Sequence, residues 1–353
     1  MIQRQLKLRL TKAQERRFER WLWHLTGVYN WASRKVEMNR QLSTYDLQSL
    51  LRGHSVRMVI PAHVMRATAV TAHLSWRRYS KGLAGRPKLK SRRNRLASIP
   101  FDSADSVQVV STSRVKLRGC EPIRFHKQDL PPGLVSSGRV VKRASGWYLC
   151  LFIHAESNAI LVVGDGIVGI DPGFSTLLTL STGEKIEHPR ELYAGAQRLA
   201  QAQRGGRSKL VARLHERQWN RRRNRNHHIS RRLIAENAVI VWSKDSTAGI
   251  QRIFGKSVAA AAHHQLRAML AHKCRTGGRR YLEVSGRNST RACSACGALS
   301  GPTGYAGLSV RVWVCTTCGV EHDRDVNAAV NTLKAGAGIA LERTREGAPE
   351  IAA

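Results

Sequence analysis

Two Cys-x-x-Cys pairs, Cys293/Cys296 and Cys315/Cys318, stand just ahead of His322-Asp323-Arg324-Asp325-Val326-Asn327-Ala328-Ala329, and no other stretch restricts the fold so sharply. Tetrahedral zinc takes four thiolates at about 2.3 Å, and each pair supplies two of them from one tight turn. Eighteen residues separate the pairs, within the spacing of a four-thiolate site. Gly297 and Gly319 follow the second cysteine of each pair and suit such turns. The residues therefore point to a structural zinc ion on Cys293, Cys296, Cys315 and Cys318. Two disulfides are the competing use of such a set. Met1-Ile2-Gln3-Arg4 leads into a charged amphipathic segment and not into the apolar core of a signal peptide, so a reducing, cytoplasmic setting is expected, where metal wins over disulfide. Cys120, Cys150 and Cys274 are scattered and read as packing residues.

Charge is the second constraint. The 353 residues include 59 Lys and Arg against 24 Asp and Glu, a net charge of +35. Hydrophobic residues make up 42%, enough for real cores, so the basicity belongs to a folded chain with room for two or three domains. No apolar run is long enough to span a bilayer. The positive charge is spread over the whole length, unlike the single basic helix of a membrane-surface protein. A polyanion is the expected partner, nucleic acid first, with binding that weakens steeply as salt rises.

Residues 1–10 alternate apolar and basic and read as a strand. Thr11 caps a helix with Glu15 in its first turn, and Phe18, Trp21, Leu22, Leu25, Val28, Tyr29 and Ala32 follow at helical spacing as a core face. Further helices are expected over 44–53 and 61–80. Residues 81–98 form a Gly/Pro-punctuated basic loop, read as an element that tracks phosphates through Lys88, Lys90, Arg92, Arg93 and Arg95. Short alternating strands fill 99–160. Ile167 to Gly173 is an apolar strand ending in Asp171 and a turn, with Thr176 to Gly183 as its hairpin partner. A long helical region over 190–233 carries a basic face that includes Arg221, Arg222, Arg223 and Arg225. A strand at 238–242, a helix over about 256–274 and a strand at 281–284 lead into the cysteines. A last helix follows Asp325, with a loose tail from Gly336.

Strand, hairpin, long helices, strand, helix and a final helix headed by an acid is the order of an RNase H-like nuclease core. Such sites hold two Mg²⁺ ions about 4 Å apart between carboxylates. The chain resembles the TnpB family, transposon-encoded RNA-guided nucleases similar to the miniature type V CRISPR effectors. Gly169-Ile170-Asp171-Pro172-Gly173 resembles the family's first RuvC motif, followed by Ser181-Thr182-Gly183 and Pro189-Arg190. Asn288 to Gly297 resembles the entry to its ribbon, and His322 to Ala329 its third RuvC motif. Tyr29-Asn30-Trp31 and Gly85 to Lys90 resemble its N-terminal half. The likeness covers nearly the whole chain.

The resemblance implies an α+β multidomain protein. A β-barrel wedge domain (1–10 and 99–160) carries an inserted helical recognition domain (11–98). An RNase H-like, RuvC α/β domain (164–287 and 320–335) carries an inserted zinc ribbon (288–319), and a flexible tail takes up 336–353. It implies a bound guide RNA, a double-stranded DNA target with a short flanking motif, and a place at the bacterial nucleoid. It makes Asp171 and Asp325 RuvC acids, with Asp323 as a neighbour of undecided role. The family also needs a middle acid. Aligned without gaps on Gly249, its usual position is Ser243. In other members it stands just before the ribbon, where this chain has Gly286. Both places are empty of a carboxylate. Asp245, two residues past Ser243, shares its strand face if the strand continues, whereas Glu283 points the other way. The expectation is an RNA-guided DNA-binding protein with a weakened Mg²⁺ site, acting as a transcriptional repressor. The alternative is an active endonuclease completed by Asp245.

Overall fold

The computed structural model describes residues 2–154, 164–188, 191–244, 261–304, 307 and 309–345, with backbone alone at 2, 191–194 and 339–345. The chain divides into two compact units, residues 1–158 and 159–353. Among the described residues no helix is long and apolar enough to cross a membrane.

The first unit is organised by β1 (Ile2–Arg9), whose alternation buries Leu6 and Leu8 and leaves Lys7 exposed. The helices α1 (Lys12–Met38), α2 (Thr44–Leu50) and α3 (Ala62–Ser80) follow, then β2 (Ser98–Phe101), β3 (Val107–Ser111), β4 (Arg114–Leu117), β5 (Ile123–Phe125), β6 (Leu134–Arg143) and β7 (Gly146–His154). These strands form one antiparallel sheet in the order β2-β6-β7-β1-β5-β4-β3. The expected barrel is thus a curled sheet: a Cβ at Gly138 of β6 would lie 2.9 Å from a Val107 methyl of β3. At the head of α1 the Gln14 amide N–H donates to Thr11 Oγ1 at 3.2 Å and the Thr11 N–H donates to Gln14 Oε1 at 3.0 Å. This is the reciprocal capping box, in which Gln14 is the half that the sequence reading passed over. Phe18, Trp21, Leu22, Leu25, Val28, Tyr29 and Ala32 are all buried against α3 and the sheet, as core.

The second unit holds β8 (Gly166–Pro172), β9 (Thr176–Leu180), β10 (Lys185–Glu187), α4 (Glu191–Arg204), α5 (Ser208–Glu236), β11 (Asn237–Lys244), α6 (His263–Thr276), β12 (Arg280–Ser285), β13 (Val312–Val314), β14 (Glu321–Asp323) and α7 (Arg324–Arg345). Five strands form a sheet in the order β10-β9-β8-β11-β12. The first three are antiparallel hairpins, and β11 and β12 run parallel to β8. Val168, Ile170, Ile240 and Trp242 pack on one face with Leu233 and Ile234 of α5 and Leu266 and Leu270 of α6. The alternate residues face α7. A Cβ at Gly169 would sit 2.3 Å from the Ala329 carbonyl oxygen, and one at Gly336 2.5 Å from a Val241 methyl, so both glycines exist to let helix and sheet touch.

Three expectations change. The helical region over 190–233 breaks at Gly205-Gly206, where Gly206 takes φ +61° and separates α4 from α5. The loose tail from Gly336 is instead helical to Arg345, because Gly336 docks on β11. The ribbon extends past 319, since β14 pairs with β13 through Trp313 and His322. Residues 245–260, which hold Asp245 and the start of the expected 256–274 helix, lie outside the described residues.

Two predictions follow from this packing. Gly169→Val forces a side chain into the α7 backbone and is expected to lower stability by at least about 2 kcal/mol in urea denaturation. His263 packs against Phe174 and Trp242 and donates from Nε2 to the Leu177 carbonyl at 3.1 Å. Burial drives its pKa down to about 4. The unfolded imidazole titrates near 6.5, so stability is full above that pH and falls as the pH drops toward 4, by about 3 kcal/mol in all. His263→Gln is expected to flatten that decline in pH-dependent melts.

Candidate functional site

The register of the second sheet collects the residues that carry chemistry. Asp171 pairs with Thr179 of β9, and Thr179 pairs with Lys185 of β10. On the other side Ile170 stands opposite Trp242, so Ser243 is the next step along β11 and level with Asp171. Residues opposite one another share a face, which makes a row of Lys185, Thr179, Asp171 and Ser243. Asp171 is two residues beyond Gly169 and so lies on the face that α7 covers.

The head of α7 brings the other acids. Asp323 Oδ1 accepts from the Asp325 and Val326 amides, both at 3.0 Å, and so caps the helix. Its Oδ2 takes a 2.6 Å ion pair from Lys185 Nζ. Burial alone would raise its pKa, but these donors together hold it below the ordinary carboxylate value. Asp323 is thereby a cap and a tie to β10. Asp325 is half-buried in the first turn and lies 3.5 Å from the Arg311 guanidinium, which also reaches Ser175 Oγ at 3.4 Å. Ser175 follows Asp171 by four residues, so Asp325 and Asp171 share one end of the sheet.

The position expected to hold the middle acid is occupied by a fully buried Ser243. Among the described residues its Oγ has no hydrogen-bond partner, a cost of about 1–3 kcal/mol. Glu283 lies opposite Trp242, on the α6 face. There it pairs with Arg267 at 3.3 Å and accepts from the Tyr281 hydroxyl at 3.2 Å, which separates it from the Asp171 row. Gly286 lies just past the end of β12.

The four cysteines converge. Their sulfurs all lie within 4.8 Å of one another, and among the described residues they are the one set of three or more such ligand groups to do so. Cys293 and Cys318 sulfurs are 3.6 Å apart, and Cys296 and Cys315 sulfurs 3.7 Å. A tetrahedron with 2.3 Å zinc–sulfur bonds has edges of about 3.8 Å, so the cage fits that ion. Residues outside the Cys-x-x-Cys spacing support it. The Ser300 hydroxyl donates to Cys315 Sγ at 3.1 Å and pulls its pKa down to about 5. His322 Nε2 is 3.0 Å from Cys293 Sγ. Asn327 of α7 donates to the Ser289 and Ala292 carbonyls and accepts from the Ser294 amide at 2.8 Å, clamping the first knuckle to the helix. The Val-Asn-Ala-Ala run was the available signal for that clamp.

The basic residues divide. Lys88, Arg92 and Arg93 are exposed. Lys90 is anchored through its backbone to Asn30, and Arg95 is paired with Glu19 at 3.2 Å. On α5, Arg221 is exposed and Arg223 lies over Trp219 at 5.4 Å. Arg222 is half-buried, and Arg225 donates to the Ala261 carbonyl at 3.1 Å, binding α5 to the start of α6.

Residues 263–332 match the family model described as Cas12f1-like, TNB domain. A candidate RNA-guided DNA endonuclease of Streptomyces pristinaespiralis is 34% identical over 268 residues, 71% of this chain and 65% of that protein. A candidate RNA-guided DNA endonuclease, InsQ, of Escherichia coli K12 is 24% identical over 253 residues, 64% of this chain and 62% of that protein. The chain therefore spans just under two thirds of either curated relative. Its fold matches the cryo-EM structure of a Cas12f1–sgRNA–target DNA complex with a TM-score of 0.57 at 13% identity, over 90% of this chain and 82% of that one.

The cysteine cage predicts about one zinc per purified chain by elemental analysis, and Cys296→Ser is expected to lose most of it and to loosen the packing around Trp313.

Proposed function

The chain belongs to the TnpB family, and from that premise we propose that it is an RNA-guided, flanking-motif-dependent DNA-binding protein that holds its target without cutting it. Guide RNA and double-stranded DNA are the partners that the +35 charge and the relatives' names support. The first unit serves as wedge and helical recognition domains. The second serves as a RuvC-like domain bearing a zinc ribbon, a reading supported by its strand order and its capped, acid-headed last helix. Bound over a promoter, such a protein excludes polymerase and represses transcription.

The observation that carries the absence of cutting is Ser243. It stands level with Asp171 on the face beneath α7, in the place where the resemblance expects a glutamate, and it is fully buried. A serine brings no carboxylate to Mg²⁺. Of the acids that remain among the described residues, Asp171 stands in the row, Asp323 is committed to Lys185 and the helix cap, and Asp325 faces Arg311. This donor set does not fit a two-metal site, so no cleavage step is assigned to it.

The test uses the complex purified with its co-expressed RNA. That RNA is sequenced, and the complex is mixed with matching duplex and Mg²⁺, with binding and cutting scored in one tube. Tight, guide-dependent binding to intact DNA is expected. Ser243→Glu is expected to introduce Mg²⁺-dependent cutting that Ser243→Gln does not. Cut DNA from the unmodified protein would overturn the proposal in favour of an endonuclease completed by Asp245.

A further inference from the structure

The basic loop is a built element. Asn30 Nδ2 donates to the Lys90 carbonyl at 2.8 Å, and the Lys90 amide donates back to Asn30 Oδ1 at 2.7 Å, so one side chain mimics a strand partner. The Leu96 amide donates to Thr26 Oγ1 at 3.2 Å. Arg86 pairs with Glu37 at 2.5 Å, and Arg95 with Glu19 at 3.2 Å. Glu19, Thr26, Asn30 and Glu37 occupy one stripe of α1, so the loop runs back along the helix. The two acids on that stripe neutralise Arg86 and Arg95, and Lys88, Arg92 and Arg93 remain exposed.

Trp23 belongs to the same stripe, between Glu19 and Thr26, yet its side chain is 61% exposed. Arg95 spans this interval: its backbone neighbour is held at Thr26 while its guanidinium reaches Glu19, seven residues and about 10 Å back along the helix. One turn on from Trp23, Gly27 is exposed, and apart from the helix's own backbone nothing lies within 4 Å of where a Cβ would stand. A glycine inside an exposed helical face weakens the helix, and no packing contact accounts for this one. Arg16, Arg20 and Arg34 are exposed along the same flank. An exposed indole, with the His24 ring set edge-on at 5.0 Å and an open shelf one turn on, on a helix flank that also carries exposed arginines, is an arrangement suited to an unstacked base with its phosphates.

We propose that Trp23, with the shelf at Gly27, is a stacking platform for an unpaired nucleobase whose flanking phosphates are held by Lys88, Arg92 and Arg93. This rests on the nucleic-acid reading above and adds to it a site for single-stranded nucleotides. The shared chemistry is a base face and a phosphodiester, supplied by RNA or by an opened DNA strand.

The test titrates nuclease-treated, full-length protein with twelve-residue oligouridylate and oligothymidylate at several salt concentrations, reading anisotropy and tryptophan fluorescence. Trp23→Ala is expected to weaken binding about tenfold with an unchanged salt slope, because a stacking contact is lost and no phosphate contact. Trp23→Phe should retain most of the affinity while losing the quenching. Gly27→Leu, which covers the shelf and touches no core residue, should weaken binding as Trp23→Ala does. The Arg92→Ala/Arg93→Ala pair should instead lower the salt slope. The oligomer bound more tightly by the unmodified protein identifies the natural strand. Equal affinity of Trp23→Ala and the unmodified protein, where the latter binds tightly, would overturn the platform alone. Failure of the unmodified protein to bind either oligomer or its guide would overturn the functional reading as well.

Discussion

Everything distinctive in the second unit depends on the contact between α7 and the central strand. At Gly169 of β8 the strand backbone meets the backbone of α7 directly, and at Gly336 the helix backbone rests on the Val241 methyls of β11. Any Cβ at Gly169 would lift the helix off the strand. That closeness fixes the helix head over the end of the sheet, where Asp171 lies. It also positions the metal cage, because Asn327, in the first turn of the same helix, grips the Ser289 and Ala292 carbonyls beside Cys293. One helix thus registers the cysteine cage against the acid row.

The first unit solves a different problem with similar means. Its loop carries a dense block of positive charge that in free solution would repel itself into an extended chain. Asn30 ties it at the backbone, and Glu19 and Glu37 remove the two charges nearest the helix. Glu19 also receives Lys142 of β6, so this one carboxylate joins loop, helix and sheet. Of the charges left over, Lys90 lies over the Tyr29 ring of α1, and Lys88, Arg92 and Arg93 are exposed.

Much of this was legible in the sequence, for stated reasons. The cysteine cage was readable because ligand spacing is a local property, and the cage needs no long-range information to recognise. The core face of α1 was readable from its 3.6-residue period, and the row beneath α7 from strand alternation once the β8 motif was placed. What was not legible depends on partners far apart in the chain. Nothing local marks Lys185 as the partner of Asp323, 138 residues away, or Arg311 as the partner of Asp325. The break at Gly205-Gly206 was missed because the helical period runs on through it. The order beyond Gly336 was missed because small residues read as a loose tail when their function is close approach. Arg225 looked like part of a phosphate-binding face because its donors' real acceptor, the Ala261 carbonyl, is invisible to pattern reading.

Under the proposed reading, the two acids at the head of α7 are kept for duties other than catalysis. A nuclease that loses one carboxylate is free to lose the others unless they hold something else. Asp323 holds the first turn of α7 through two backbone amides and ties it to β10 through Lys185. Asp325 balances Arg311, which reaches on to Ser175 in the turn after Asp171. Removing Asp323 would leave Lys185 without this partner and the helix head without its cap, and removing Asp325 would take the counter-charge from Arg311. Ser243 has no such ties: its hydroxyl meets no partner among the described residues. Asp323 and Asp325 each hold a structural tie and Ser243 holds none, a pattern that fits the proposal of a scaffold that binds without cutting.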